Sequence, residues 1–201
     1  MQKSLEKMLS GYHEFRRKYA LGDQSIMQSL SQYGQQPEIM VVACCDARVD
    51  PALILQCDPG DLFVVRNVAN IIPPFERDEA HHGTSAALEF GVQVLGIKHL
   101  ILLGHSQCGG IQALAHTKNQ SDFIHNWVSL VKTHEINEVD HDEYAKLALR
   151  RSHENCLTFP WIKEKIMQND LFIHLWFFDI KTGQIFKFAE DSYQALQTHL
   201  S

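Results

Sequence analysis

The sequence predicts an α/β protein with a mainly parallel central sheet flanked by helices and one antiparallel strand at its edge, and three observations predict it. Three apolar runs, Ile39 to Ala43, Leu62 to Arg66 and His99 to Gly104, alternate with helical segments, which is the strand–crossover–strand pattern of parallel sheets. The first run is apolar on both faces, as a strand covered by helices on each side must be. A last apolar stretch, Leu171 to Phe178, is followed by Thr182-Gly183, a hairpin turn that leads into Gln184 to Phe188.

At 201 residues and 45% hydrophobic, the chain can bury one substantial core, and no compositional break divides it, so residues 1–201 are read as a single domain. Met1 to Ala20 mixes charged residues with apolar ones and has no continuous apolar core of a secretory signal, and no run approaches bilayer length. Five cysteines, odd in number and irregularly spaced, fit a reducing compartment where thiols stay free for metal, so the expected location is cytoplasmic. A net charge of −6 with scattered basic residues argues against a nucleic-acid partner. Most of the twelve histidines stand alone on polar stretches and read as solvated. There is no internal repeat and no low-complexity segment.

Taken in order, Leu5, Met8, Leu9, Tyr12, Phe15 and Tyr19 recur at helical spacing among charged residues, an amphipathic helix ending near Gly22-Asp23. A second helical piece, Ser25 to Tyr33, runs to the breaker cluster Gly34-Gln35-Gln36-Pro37. These two helices can pack on their own core or reach a neighbouring subunit. After the first strand, Pro51 to Leu55 reads as a short helix with proline in its first turn, and Asp58-Pro59-Gly60-Asp61 as the turn into the second strand, with Cys57 packing there. Asn67 to Phe75 reads as an ordered loop, and a helix opened by His81-His82-Gly83-Thr84 runs from Ser85 to Leu95 and stops at Gly96. Phe123 to His134, Tyr144 to Cys156 and a segment opened by Pro160-Trp161-Ile162 have helical spacing. Cys156, His125, His134 and His153 lack partners at ligand spacing and read as packing or surface residues, one of the histidines being a candidate for passing protons.

Two groups at strand ends carry chemistry. Where the first strand stops, alternation places Cys44, Asp46 and Arg48 on one side as a thiol, a carboxylate and a guanidinium. That grouping suits a metal, with the arginine fork holding the carboxylate ionised; ordinary buried thiols beside a surface ion pair would also account for it. The third strand ends in His105-Ser106-Gln107-Cys108-Gly109-Gly110, and positions i and i+3 of a tight turn share a face. An anion cradle would need the lysine of a P-loop, which is missing, and a nucleophilic cysteine usually draws its histidine from a distant segment. If the first and third strands are neighbours, Cys44, His105 and Cys108 converge as a Cys₂His set with a fourth position open, the pattern of catalytic zinc.

Cys44-x-Asp46-x-Arg48 followed by His105-x-x-Cys108-Gly109-Gly110 resembles the signature of the β-class carbonic anhydrases. The similarity extends through Phe63 to Asn70, Ile72-Pro73-Pro74, His82 to Phe90 and Phe178 to Gly183. The resemblance implies reversible hydration of CO₂ to bicarbonate and a proton, with one Zn²⁺ per subunit on Cys44, His105 and Cys108. It also implies a homodimer or dimer of dimers, residues 1–34 forming a helical arm that clasps the partner, with active sites near that interface and no membrane attachment. Asp46 and Arg48 would be catalytic, Asp46 orienting the zinc-bound hydroxide and becoming a fourth ligand only in a closed state. In the family Gln35 matches a hydrogen-bonding glutamine, Phe63 an apolar wall and Gly109 a backbone donor, while Phe90 replaces a tyrosine at the pocket edge. The tryptophan, arginine and tyrosine of bicarbonate-regulated members match Val41, Arg66 and Phe178, so the chain is expected to lack that regulation. A CS₂ or COS hydrolase of the same fold, and a zinc-stabilised redox or interaction protein using Cys44-Cys45, are the alternatives.

Overall fold

The structure, a computed structural model, describes residues 2–116, 122–133 and 140–197. Six strands form one sheet: β1 (Ile39–Cys44), β2 (Leu62–Asn67), β3 (His99–His105), β4 (Phe172–Asp179), β5 (Gln184–Ala189) and β6 (Ser192–Ala195), in the spatial order β2-β1-β3-β4-β5-β6. The pairs β1–β2, β1–β3 and β3–β4 are parallel, and β4–β5 and β5–β6 antiparallel. The antiparallel edge expected past Thr182-Gly183 is therefore present, and one strand wider than the sequence pattern indicates. β6 is easy to miss because Tyr193 is its single large apolar residue; the ring packs against Phe177 and Phe188.

Alternation along β1 and β3 splits the interior into two cores. Met40, Val42, Leu100 and Leu102 join Leu88, Val92, Leu149, Cys156, Phe159 and Ile162 on one face. Val41, Ala43, Ile101 and Leu103 join Val49, Ala69, Ile111, Leu114, Val128 and Val131 on the other. The covering helices are α3 (Pro51–Ile54), α4 (Gly83–Glu89), α5 (Gly109–His116), α6 (Ile124–Ser129), α7 (His141–Cys156) and α8 (Pro160–Met167). Two depart from the sequence pattern. The helix expected through Leu95 becomes a π turn over Phe90–Leu95, where Gly91 passes so close to Met40 that a Cβ would lie 2.7 Å from its sulfur. The helix expected from Phe123 is regular only over Ile124–Ser129, and His134 lies outside the described residues.

At the amino terminus, α1 (Gln2–Tyr19) and α2 (Ile26–Tyr33) precede the sheet. α2 is capped by the Ser25 hydroxyl, which accepts from the Gln28 amide, and ends at Gly34 with φ 76°. On α1 the apolar stripe covers no core of its own chain: Leu5, Met8, Leu9 and Tyr12 are each more than half exposed. Its tie to the body is at its last turn, where Lys18 and Tyr19 both reach Asp58. No helix among the described residues is long and apolar enough to cross a membrane.

Candidate metal centre

Because β1 and β3 are hydrogen-bonded neighbours in parallel register, with Ala43 opposite Leu103, their carboxyl ends deliver Cys44 and His105 side by side. The turn after β3 adds Cys108. The two sulfurs stand 3.9 Å apart, and the donor atoms of all three residues lie within 4.8 Å of one another. All three side chains are buried. The His105 Nδ1–H donates to the Ser106 carbonyl at 2.8 Å, a contact that fixes the tautomer and leaves a bare lone pair on Nε2. That nitrogen is fully buried and has no protein partner. An orphaned buried acceptor is costly and rare, and a cation beside two thiols is what would satisfy it, so the donor set fits Zn²⁺. The hydrogen bond from Cys108, against a burial penalty and with help from the Asp46 and Ala69 amides, holds the Cys44 thiol well below the usual thiol range. The same bond and burial push the Cys108 thiol up, so the two sulfurs share their proton rather than titrating independently.

Arg48 grips Asp46 with a two-pronged contact, Nε to Oδ1 at 2.9 Å and Nη2 to Oδ2 at 2.7 Å, and its backbone N–H adds a third bond to Oδ1 at 2.9 Å. These bonds, against a desolvation penalty, hold the Asp46 carboxyl well below the usual carboxylate range. Arg66 works from beneath. Its guanidinium donates to the carbonyls of Cys44 (2.9 Å) and Asp46 (2.7 Å) and pairs with Asp50 at 2.8 Å. Asp50 in turn caps α3 by accepting from the Ala52 and Leu53 amides. The loop that carries Cys44 and Asp46 is thus stapled to β2 and α3.

The helix that follows Cys108 makes a close approach to the Val68–Asn70 turn. A Cβ on Gly110 would fall 2.7 Å from Val68 Cγ1, 2.9 Å from the Ala69 Cβ and 3.1 Å from the Ala69 amide nitrogen, whereas a Cβ on Gly109 would meet nothing within 4 Å. Gly110 is the glycine the packing requires. Gly110→Ala is expected to lower stability by roughly 1–3 kcal/mol, the usual cost of overpacking, and Gly109→Ala by far less, as chemical denaturation of the two variants would read.

The family model described as carbonic anhydrase matches residues 39–185, a span that holds the three donors, Asp46 and Arg48. Beta carbonic anhydrase 5, chloroplastic, of Arabidopsis thaliana is 41% identical over 155 residues. The chain belongs to the β-carbonic anhydrases. The Arabidopsis match covers 70% of this chain but only 50% of the relative, so the chain spans half the length of that protein. A carbonic anhydrase of Synechocystis sp. is 31% identical over 196 residues, covering 90% of this chain and 70% of the relative. Among solved structures, the β-carbonic anhydrase CcaA superposes with a TM-score of 0.85 at 28% identity, covering 98% of this chain and 94% of that one. A β-carbonic anhydrase from Sordaria macrospora, described as tetrameric, gives 0.76 at 29% identity, covering 94% and 95%.

The remaining β-carbonic anhydrase positions do not gather at this centre within one chain. Phe63 is paired with Met40 near the amino end of β1, four residues below Cys44, a rise of about 13 Å along the strand. Its ring lies 5.8 Å from that of Phe90, which is exposed. Gln35 is exposed between α2 and β1, and α2 itself packs its Leu30 beneath Gly60, at the turn into β2. Gln35, Phe63 and Phe90 therefore share the amino end of the sheet, while the metal ligands occupy the carboxyl end. A second donor group, Glu76, Asp78 and His82, lies on the surface before α4 and is paired internally, His82 to Asp78 at 2.7 Å. Cys156 is sealed in the core, where burial pushes its thiol up to about 12.

Three supports of the centre escape the sequence reading. Arg66 carries the Cys44 loop. Ser106 is anchored by the end of β4: its hydroxyl donates to Asp179 and accepts from the Ile180 amide at 2.9 Å. Asp142 on α7 accepts from the Gln107 amide at 2.6 Å. The Asp179-x-x-Thr182-Gly183 turn was the one visible signal for the second; nothing local links residue 142 to a turn 35 residues earlier.

Proposed function

We propose that this β-carbonic anhydrase catalyses the reversible hydration of CO₂ to bicarbonate and a proton, with one Zn²⁺ per chain on Cys44, His105 and Cys108. The observation that carries the proposal is the partnerless His105 Nε2 buried beside two sulfurs. Zinc bound there supplies the Lewis acidity that brings a water's pKa towards neutrality. The chain's own residues do the positioning. Asp46 stays ionised on Arg48, and because Oδ2 takes only one bond from the fork while Oδ1 takes two, it is Oδ2 that keeps a lone pair able to accept a hydrogen bond from the attacking oxygen. The Arg48 fork would hold the carboxylate back from a bound metal, and Asp46 would become a fourth ligand only on release from that fork. The Gly109 amide, at the start of α5, would donate to a substrate oxygen.

Gln35, Phe63 and Phe90 serve in this reading through a second copy, their end of the sheet facing the partner's metal centre across a dimer interface. The uncovered stripe on α1 supports such an assembly, since an 18-residue helix that buries no apolar face of its own is marginal in water. A homodimer or dimer of dimers follows, with residues 1–34 as the clasping arm. Five free cysteines suit a reducing compartment, which we take to be the cytoplasm.

Zinc analysis beside stopped-flow hydration tests the proposal: one zinc per chain with CO₂ turnover supports it, and metal-free activity or preferential turnover of CS₂ or COS counts against it. Regulation by bicarbonate is not expected. Val41 is fully buried, Phe178 nearly so and without a hydroxyl, and the Arg66 fork is engaged with the Cys44 loop and Asp50. Hydration rate against bicarbonate concentration should show simple product inhibition. A steep sigmoidal fall would contradict this.

A further inference from the structure

Within the ligand turn, Gln107 alone adopts a left-handed backbone, φ 54°, between His105 and Cys108. A glutamine does not take that conformation freely, so something outside the turn holds it. Both sides of the residue are gripped. Its N–H donates to Asp142 Oδ1 at 2.6 Å, and its carbonyl accepts from Arg48 Nη2 at 3.3 Å. Asp142 is itself well placed: it stands in the first turn of α7, where the helix dipole favours a carboxylate, and its own amide donates to the capping Asp140 at 3.0 Å. α7 is seated on the sheet through Tyr144, Ala145, Ala148 and Leu149, all buried.

We infer that Asp142 is a positioning residue of the metal centre: through the Gln107 peptide, its carboxylate sets the His105–Cys108 turn on one side and the Arg48–Asp46 fork on the other. The inference rests on the reading of Cys44, His105 and Cys108 as zinc ligands. Asp142 touches none of them and acts through a charge-assisted hydrogen bond to a backbone that would otherwise relax. Relaxation would shift Cys108 relative to His105 and remove the carbonyl that steadies Arg48.

The test compares Asp142→Ala, Asp142→Asn and Asp142→Ala/Gln107→Gly, with wild type and Gln107→Gly as references. The readouts are zinc loss to a chelator, the absorption spectrum of the Co²⁺-substituted protein, and kcat and KM for hydration. Asp142→Ala is expected to lose zinc ~10–100-fold faster and to alter the Co²⁺ bands, the range seen when outer partners of metal ligands are removed. Its kcat should fall with KM nearly unchanged. Asp142→Asn keeps an acceptor oxygen and should stay within ~3-fold of wild type, since a neutral hydrogen bond replaces a charge-assisted one. Glycine takes φ 54° without strain, so the double variant should match Gln107→Gly within ~3-fold in zinc loss. That comparison also serves if Asp142→Ala does not fold alone. The inference is overturned if Asp142→Ala retains zinc and the Co²⁺ spectrum of wild type, if Asp142→Asn is as impaired as alanine, or if the double variant loses zinc ~10-fold faster than Gln107→Gly. Wild type that binds zinc but does not hydrate CO₂ would sink the proposed activity and leave this test intact.

Discussion

His105→Ala is expected to leave the centre unable to hold zinc and to abolish the proposed hydration of CO₂ while leaving the sheet folded. Loss of one of three protein ligands costs more metal affinity than the ~10–100-fold typical of an outer partner, so dialysis against a chelator should leave well under one zinc per chain. The fold survives because His105 ends β3 rather than joining its middle, and because truncation also removes a buried nitrogen that no protein group satisfies. A cavity remains. By the scale of other large-to-small core changes, the apo-protein should lose roughly 2–5 kcal/mol of stability relative to wild-type apo-protein. Circular dichroism, zinc analysis and stopped-flow hydration on one preparation separate these effects. Retention of a full equivalent of zinc would show that the ligand set has been misread.

The second large effect is a recovery. Asp46→Asn should lower turnover ~10²–10³-fold, as loss of a preorganised electrostatic contact does, and Gln35→Ala should be impaired as well. Unfolded together and refolded, the two chains should regain activity that neither has alone. In a mixed dimer one centre takes Asp46 from one chain and Gln35 from the other, both intact, and the second centre takes both replacements. Random pairing in a symmetric dimer then yields about one quarter of the wild-type rate. If each centre drew Gln35 from its own chain, mixing would give only the mean of the two weak activities. Gln35 precedes β1 and Asp46 follows it, so the two lie beyond opposite ends of one strand, and that separation makes the outcome decisive.

Much of the architecture was readable because strand and site coincide in this chain. Apolar runs that end abruptly in Cys44 and His105 announce both a buried parallel strand and the chemistry at its tip. The i, i+3 spacing of His105 and Cys108, and the prolines and glycines at helix ends, needed no tertiary knowledge. What stayed hidden depends on contacts between distant segments. Arg66 looked like the remnant of a regulatory pocket, yet its fork is spent on the carbonyls of Cys44 and Asp46. Asp142 is an unremarkable helix-start acid until α7 is folded against the turn. The π turn after Glu89 sits where Gly91 passes tight against Met40, a packing fact that periodicity does not contain. Likewise α1 has the stripe of a core helix, and only the folded chain reveals that its own body does not cover it.

The order of the strands bears on how the protein ages. Both ligand-bearing strands, β1 and β3, have hydrogen-bonded neighbours on each side, and the margins of the sheet are β2 and β6. Fraying begins at margins, so backbone amides of β6 should exchange with deuterium long before those of β3. Loosening that starts at β6 would leave the ligand strands intact, whereas loosening of β2, which carries Arg66, would free the Cys44 loop and open the centre from that side.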